Sequence, residues 1–79
     1  ALTKLPENLR LSALKLSEES GDIIVRFYEA IGKEAILTLP ENIKLIKLNT
    51  LEEPETDTAV SAYTFRKFEI ATFKLVIQG

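Results

Sequence analysis

The sequence contains neither cysteine nor histidine. Without cysteine there is no disulfide framework and no thiolate chemistry. Without histidine the chain lacks the usual general base and every Ser-His or Cys-His nucleophile system, and the two absences together remove most protein metal sites. We therefore predict that this chain holds no cofactor, no metal ion and no catalytic residue. A reducing, cytoplasmic location fits the lack of cysteine.

Long apolar runs and basic clusters are also missing. No apolar run approaches the roughly 20 residues that a membrane-spanning helix needs, and the opening ALTKLPENLR lacks the apolar core of a signal peptide. The ten basic residues are scattered, and the net charge is −2. We expect neither a nucleic acid nor a membrane as a partner.

The length and the apolar content bound the architecture. A chain of 79 residues makes one domain, which we place at residues 1–79. A chain this short buries only roughly 60% of its unfolded surface, so its stability has little margin. The hydrophobic content of 46% is enough for a core and too high for disorder.

The periodicity is that of β-strands. In Leu9–Ser17 the apolar alternation changes parity at Ala13–Leu14, which predicts a β-bulge there. The polar stretch Ser17–Asp22 reads as a turn between antiparallel strands. In the strand Ile23–Ala30 that follows, Ile23, Val25 and Phe27 share one face, opposite to Ile24, Arg26 and Tyr28.

Four more strands complete the pattern. After a turn with Gly32 at its centre we predict strands at Glu34–Leu39, Ile43–Asn49, Ala59–Phe65 and Phe68–Ile77. A second parity change within Ile43–Asn49 favours a bulged strand over a short amphipathic helix, because isoleucine suits strands. A polar, acidic connection spans Thr50–Thr58. The expected fold is all-β, a small antiparallel β-sandwich of about six to seven strands.

Two groups of side chains could have a functional role, but an ordinary structural role fits both groups better. Four acidic residues gather in the 50–58 connection, but they lack the spacing of a calcium loop and Pro54 interrupts them. Most aromatic residues fall on apolar strand faces, where a core role is commoner than a stacking platform. Tyr28 and Tyr63 are the candidates for surface contact, since a tyrosine hydroxyl suits an interface.

Arg26 is the most informative residue. It is either a surface arginine whose stem covers Ile24 and Tyr28, or part of a face that docks on a partner. In the second case the partner must offer a carboxylate or carbonyl groups, because a guanidinium is not buried without acceptors. Glu29 points to the opposite face and is not the obvious answer. We name Ile24, Arg26 and Tyr28 as candidate interdomain contacts and expect all three to be exposed in the isolated domain.

Three motifs carry a family resemblance. They are RFYE at residues 26–29, TLEEP at residues 50–54 and KFEIATFKL at residues 67–75. In this order they resemble the C-terminal β-domain of the zinc-dependent α-mannosidases, glycoside hydrolase family 38, in its cytosolic-type and prokaryotic members. Those chains carry an Arg-Leu-Tyr-Glu/Asn strand, a Leu-Leu-Glu-x-Pro connection and a Pro-Phe-Glu-Ile-x-Thr-Leu-x-Leu strand. Here Phe27, Thr50 and Lys67 depart from these patterns.

The resemblance implies a role without catalysis. The family hydrolyses α-linked mannose with retention, using a carboxylate nucleophile and a zinc ion held by His and Asp in an N-terminal catalytic domain. No histidine is present here, so no ligand carries over. The chain would be a structural module that packs on the remaining domains of the same α-mannosidase chain and helps to border the active-site cleft. Alternatives are an independent carbohydrate-binding module and a self-association domain that forms a homo-oligomer.

Overall fold

The computed structural model describes residues 5–17 and 21–78, and within them it contains six β-strands and no helix. In this part of the chain no helix therefore has the length and apolarity to cross a membrane. The prediction of an all-β fold with two antiparallel sheets is confirmed. The strands are β1 (Leu9–Leu16), β2 (Ile23–Glu29), β3 (Ala35–Thr38), β4 (Ile43–Leu48), β5 (Ala62–Phe65) and β6 (Ile70–Ile77).

The two sheets differ in size. The large sheet has four strands in the order β1-β2-β6-β4, and the small sheet pairs β3 with β5. All pairings are antiparallel. Strands of four residues in the small sheet face strands of six to eight residues in the large one. The small sheet therefore covers only part of the inner face of the large sheet.

The predicted bulge in β1 is present, one to two residues earlier than the sequence suggested. Leu11 pairs with Phe27 and Ala13 pairs with Arg26, so Ser12 is the extra residue. Beyond the bulge, Leu14 pairs with Val25 and therefore faces inward with it. The bulge thus places Leu9, Leu11, Leu14 and Leu16 on the same, inner face of the sheet.

The second predicted bulge, in β4, is wrong. The segment is a strand, but its register with β6 runs unbroken from Ile43 to Leu48. Leu48 lies on the outer face and is nevertheless buried, because the connection after β4 folds back over that face and Pro54 forms a bridge with Leu48. β4 carries apolar residues on both faces, Ile43 and Leu45 on the inner one and Ile46 and Leu48 on the outer one. In the sequence this arrangement looks the same as a change of parity.

The small sheet joins the large one at the β4 edge. Val60, just before β5, exchanges two backbone hydrogen bonds with Leu45 of β4, and Leu39 after β3 donates its N–H to the carbonyl of Ser61. At the opposite side β1 is an edge strand, and no pairing links it to β3 within the described residues. The sandwich is closed on one side and open on the other.

An aromatic cluster fills the closed part of the core. Phe65 and Phe73 are fully buried, and Tyr63 packs edge-on against both, with ring centroids 4.9 and 5.0 Å apart. Phe27 completes the cluster from β2. Edge-to-face packing of this kind adds about 0.5–1.5 kcal/mol per pair beyond the burial of area. Leu37 and Leu45 lie beside these rings with no exposed surface.

Replacing Leu37 by alanine should expose how much the domain depends on this core. Leu37 is completely buried on β3, so Leu37→Ala is expected to lower the free energy of unfolding by about 2–5 kcal/mol in urea denaturation. Ile36 is the matched control, since it precedes Leu37 on the same strand and is 55% exposed. Ile36→Ala should cost less than about 1 kcal/mol; equal losses would contradict the assignment of faces.

Candidate functional site

Glu29 is a buried carboxylate at the end of β2. Its side chain is 1% exposed, and it lies on the inner face that carries Val25 and Phe27. Oε1 accepts the backbone N–H of Gly32 at 2.7 Å and that of Phe68 at 2.8 Å. Oε2 accepts the N–H of Ile31 at 3.0 Å and the side-chain amide of Asn8 at 2.9 Å. Four donors therefore surround one carboxylate.

These hydrogen bonds decide the ionisation of Glu29. Burial alone would raise its pKa, but the N–H groups of Phe68 and Ile31 and the amide of Asn8 hold the pKa at about 2 instead of 4.5. The carboxylate is ionised and fully occupied by the protein. It ties together the entry to β1, the turn between β2 and β3 and the turn between β5 and β6, and it is not free to act as an acid, a base or a nucleophile.

The two turns around Glu29 use left-handed backbone. Gly32 has φ of 94° and Phe68 has φ of 58°, a conformation that is costly for a side chain such as phenylalanine. The Phe68 ring lies over Gly32, where an added Cβ would come within 2.8 Å of Phe68 Cζ. The strained turn at Phe68 thus presents its N–H to Glu29 while its ring covers the neighbouring turn.

A half-buried polar pair, Tyr63 and Glu69, lies near the Glu29 cluster. The hydroxyl of Tyr63 donates to Glu69 Oε2 at 2.5 Å, and the other oxygen of Glu69 accepts the N–H of Arg66 at 2.8 Å. Burial, with the hydrogen bond and charge of Glu69, raises the pKa of Tyr63 to about 12. Tyr63 thus has the core role that is commoner for an aromatic residue on a strand face, because both its ring and its hydroxyl have partners inside the domain.

The open side of the sandwich exposes a face of leucines. Leu11, Leu14 and Leu16 of β1 are 50%, 63% and 66% exposed although they lie on the inner face of the sheet. Two adjoining apolar depressions of about 230 and 330 Å³ follow them and share Leu14 and Leu75. We call this surface the leucine face; its members are Leu5, Leu11, Leu14, Leu16, Ile23, Leu39 and Leu75.

The bulge in β1 creates much of this surface. Without Ser12 as an extra residue, the parity of β1 would turn Leu14 and Leu16 to the outer face. The bulge keeps them inward, where the short small sheet does not reach them. Exposed apolar surface of this kind is a candidate interaction site in a folded protein. The neighbouring β1 edge also leaves backbone groups without a strand partner among the described residues.

The predicted contact residues Ile24, Arg26 and Tyr28 lie together on the outer face of the large sheet, but their exposure differs. Tyr28 is 37% exposed, whereas Ile24 is only 7% exposed. The expectation that Ile24 is exposed is wrong, because the connection after β4 covers it. Ile24 lines a depression with Glu52 and Pro54, and Lys15 of β1 forms an ion pair with Glu52 at 2.6 Å.

Arg26 is half-buried, and its Nε donates to Thr72 Oγ1 of β6 at 3.1 Å. No carboxylate in residues 5–17 and 21–78 forms an ion pair with it. Its guanidinium lines a groove of about 480 Å³ between the β1 bulge and the connection after β4. We call this the arginine groove; its members are Ser12, Arg26, Tyr28, Lys47, Leu48, Asn49, Thr50, Glu55, Ile70 and Thr72.

The acidic connection after β4 is held by local bonds. Asn49 Oδ1 accepts the N–H groups of Leu51 and Glu53, and Glu55 accepts Lys47 Nζ at 3.4 Å. Among the described residues no three Asp or Glu side chains gather where an ion would bind. Zinc needs His, Cys or closely grouped carboxylates, so the donor set of this chain does not fit the zinc ion that the family resemblance implies for a catalytic domain.

Two features of the structure were not predicted from the sequence, the Glu29 cluster and the leucine face. The signal for the first was available: Glu29 continues the inward parity of Val25 and Phe27 and stands next to a glycine turn. The signal for the second was the bulge, which collects four leucines on one face. Their exposure, however, follows from the shortness of the small sheet, which local patterns do not reveal.

Comparison with known proteins gives one match. The family model described as "Glycosyl hydrolases family 38 C-terminal beta sandwich domain" matches residues 8–73, which is most of the chain. No curated protein and no solved structure matches the sequence. The matched range begins at Asn8, contains the complete Glu29 cluster and ends within β6.

Replacing Glu29 by glutamine tests the buried carboxylate. Glu29→Gln keeps the shape but puts an amide donor against N–H donors, so the variant should be markedly less stable than wild type at neutral pH. The folded pKa of about 2 lies below the value of 4.5 for a free carboxyl, so the stabilisation exists above about pH 4.5 and is lost as the pH falls towards 2. Urea denaturation should show the two proteins converging over that range. Glu41→Gln, at an exposed position, is the control; a gap that stays constant with pH would refute the assignment.

Alanine at Gly32 and at Gly21 separates backbone strain from contact with Phe68. Both glycines have positive φ, but no atom of the described residues lies within 4 Å of a Cβ at Gly21. Gly21→Ala should therefore cost about 1–2 kcal/mol for the left-handed backbone alone. Gly32→Ala should cost about 1 kcal/mol more, since the Phe68 ring must move. In a Phe68→Ala background this excess should disappear in thermal unfolding; its persistence would mean that the ring contact is unimportant.

Proposed function

Because the chain belongs to the glycosyl hydrolase family 38 C-terminal β-sandwich domains, we propose that it is a non-catalytic structural domain of an α-mannosidase. The parent enzyme hydrolyses α-linked mannose with retention, and the chain described here packs on its preceding domains and helps to border the active-site cleft. The cytoplasm is the proposed location, and the zinc ion belongs to the catalytic domain. The carboxylates best placed for chemistry support this division, since Glu29 and Glu69 are engaged by the fold itself.

The leucine face is the observation that carries the proposal. A domain of this size stabilises itself by burying apolar surface, yet it leaves Leu14 and Leu16 about two-thirds exposed on an inward face. Burying a leucine completely contributes about 1.5–3 kcal/mol. The occupant we propose is the part of the parent enzyme that precedes this domain, because the family description places the domain at the C-terminal side of a glycosyl hydrolase.

The surface predicted from the sequence becomes a secondary contact in this proposal. Of the three residues named there, Arg26 and Tyr28 are open to a neighbour on the outer face, whereas Ile24 contributes beneath the connection after β4. The leucine face is the more apolar of the two surfaces and supplies the larger gain on burial. We therefore assign the main domain contact to the leucine face.

Substitution of Leu14 and Leu16 distinguishes a docking face from ordinary surface. Leu14→Asn with Leu16→Asn should change the unfolding free energy of the isolated domain by less than about 1 kcal/mol. In the complete parent enzyme the same pair should lower the thermal midpoint and the soluble yield, because two leucines lose about 1.5–3 kcal/mol each of burial. Deleting the domain should have a larger effect in the same direction, and Arg26→Ala a smaller one.

The matched control is Ile36→Asn, an equally exposed apolar residue on the outer face of β3. It should leave both the isolated domain and the parent enzyme unchanged. A parent enzyme that stays soluble, stable and fully active without this domain would falsify the structural role. If the isolated domain instead dimerises in sedimentation and the double variant is monomeric, the occupant of the leucine face is a second copy.

A further inference from the structure

We propose that the arginine groove binds a saccharide that carries a carboxylate group. The groove lies on the outer face of the large sheet, opposite to the leucine face, so a ligand there would leave the main domain contact free and would share only Arg26 and Tyr28 with the secondary contact. Its volume of about 480 Å³ falls within the range of roughly 300–1,000 Å³ that is usual for small-ligand sites. This inference does not depend on the proposed structural role.

The charge of Arg26 indicates the anionic part of the ligand. The Nε atom is engaged by Thr72, which fixes the guanidinium plane, and no described carboxylate pairs with its terminal nitrogens. The neighbouring charges balance each other, because Lys47 lies 3.4 Å from Glu55. A half-buried, fixed guanidinium without an acidic partner suits a carboxylate, which it can bind through two parallel hydrogen bonds.

The other lining groups indicate a sugar. The register sets Ala13, Arg26 and Thr72 side by side across three strands, and the small Ala13 leaves room beside the guanidinium. Tyr28 and Ile70 form the next row, so a partly exposed ring and an apolar side chain flank the charge. The ring suits the carbon-bearing face of a sugar, since its face is apolar and its hydroxyl is polar.

Hydroxyl and amide groups surround this floor. Ser12 stands in the bulge on one side, and Asn49 and Thr50 stand on the other. The wall on the second side is preformed: Asn49 Oδ1 accepts two backbone N–H groups, and the N–H of Glu55 is bonded to the carbonyl of Lys47. A preformed wall lowers the entropy lost when a ligand binds.

Titration of the 79-residue chain with glucuronate, glucose and acetate, followed by amide NMR, tests the proposal. Glucuronate should shift the amides of Ser12, Arg26 and Thr72 with a dissociation constant on the order of 1 mM. Glucose, which lacks the carboxylate, and acetate, which lacks the sugar, should each bind at least about tenfold more weakly. Arg26→Gln should reduce the affinity for glucuronate at least about tenfold, and Lys67→Gln, at an exposed position, should leave it unchanged.

Each other outcome overturns the proposal in an identifiable way. Equal binding of glucose and glucuronate removes the role of the carboxylate, and equal binding of acetate reduces the groove to an adventitious anion site. No localised shift at millimolar glucuronate means that there is no such site. If Arg26→Gln unfolds, which loss of its dispersed spectrum would show, Tyr28→Ala and Arg26→Lys replace it in the test. Both variants should weaken the binding of glucuronate. Acetate binding should not change, because both variants keep the positive charge.

Discussion

The buried carboxylate of Glu29 is the interaction on which the arrangement of this domain depends. Four N–H donors converge on it from three separate places in the chain: the entry to β1, the turn after β2 and the turn before β6. A buried carboxylate is stable only when its oxygens are satisfied. The dependence is therefore mutual. The carboxylate holds the two turns in place, and the N–H groups of the turns offset the cost of burying its charge. Removing either partner leaves unpaired polar groups in the interior.

The Glu29 cluster also explains why the two sheets are joined at one end. The turn after β2 leads to β3 in the small sheet, and the turn before β6 leads from β5 back into the large sheet. Both turns contact the same carboxylate, while Val60 and Leu45 join the sheets at the β4 edge. The aromatic cluster fills the space between these attachments. The entry to β1 is attached through Asn8, but beyond the bulge no strand pairing among the described residues links β1 to the small sheet, and there the leucine face stays open.

The two faces of the large sheet thus differ in chemistry. The inner face is mostly apolar, with Glu29 at the end of β2 as a charged exception, and it is covered only where the small sheet reaches it, which suits a permanent contact with a neighbouring domain. The outer face is partly covered by the connection after β4, and what remains open there is a mixed surface of polar and apolar groups around Arg26. The bulge at Ser12 affects both faces. It turns Leu14 and Leu16 inward and leaves a serine beside the arginine groove.

Sequence alone determined the strands, because alternation is a local property that needs only the period of two residues. It identified β2 with its faces, the strand β6, the glycine turn at Gly32, the bulge in β1 and the fold class. Tertiary structure decided what the local pattern could not. Whether Ile24 is buried depends on a connection twenty-five or more residues away in the chain, and the apparent bulge in β4 vanished because that same connection covers Leu48. The burial of Glu29 depends on N–H donors from the adjacent turn and from Phe68, which is 39 residues away in the chain. The leucines of β1 are exposed because the strands of the small sheet are too short to cover them, and these leucines lie in the large sheet. Each of these arrangements depends on packing that exists only once the chain is folded, and the alternation along a single strand does not reveal it.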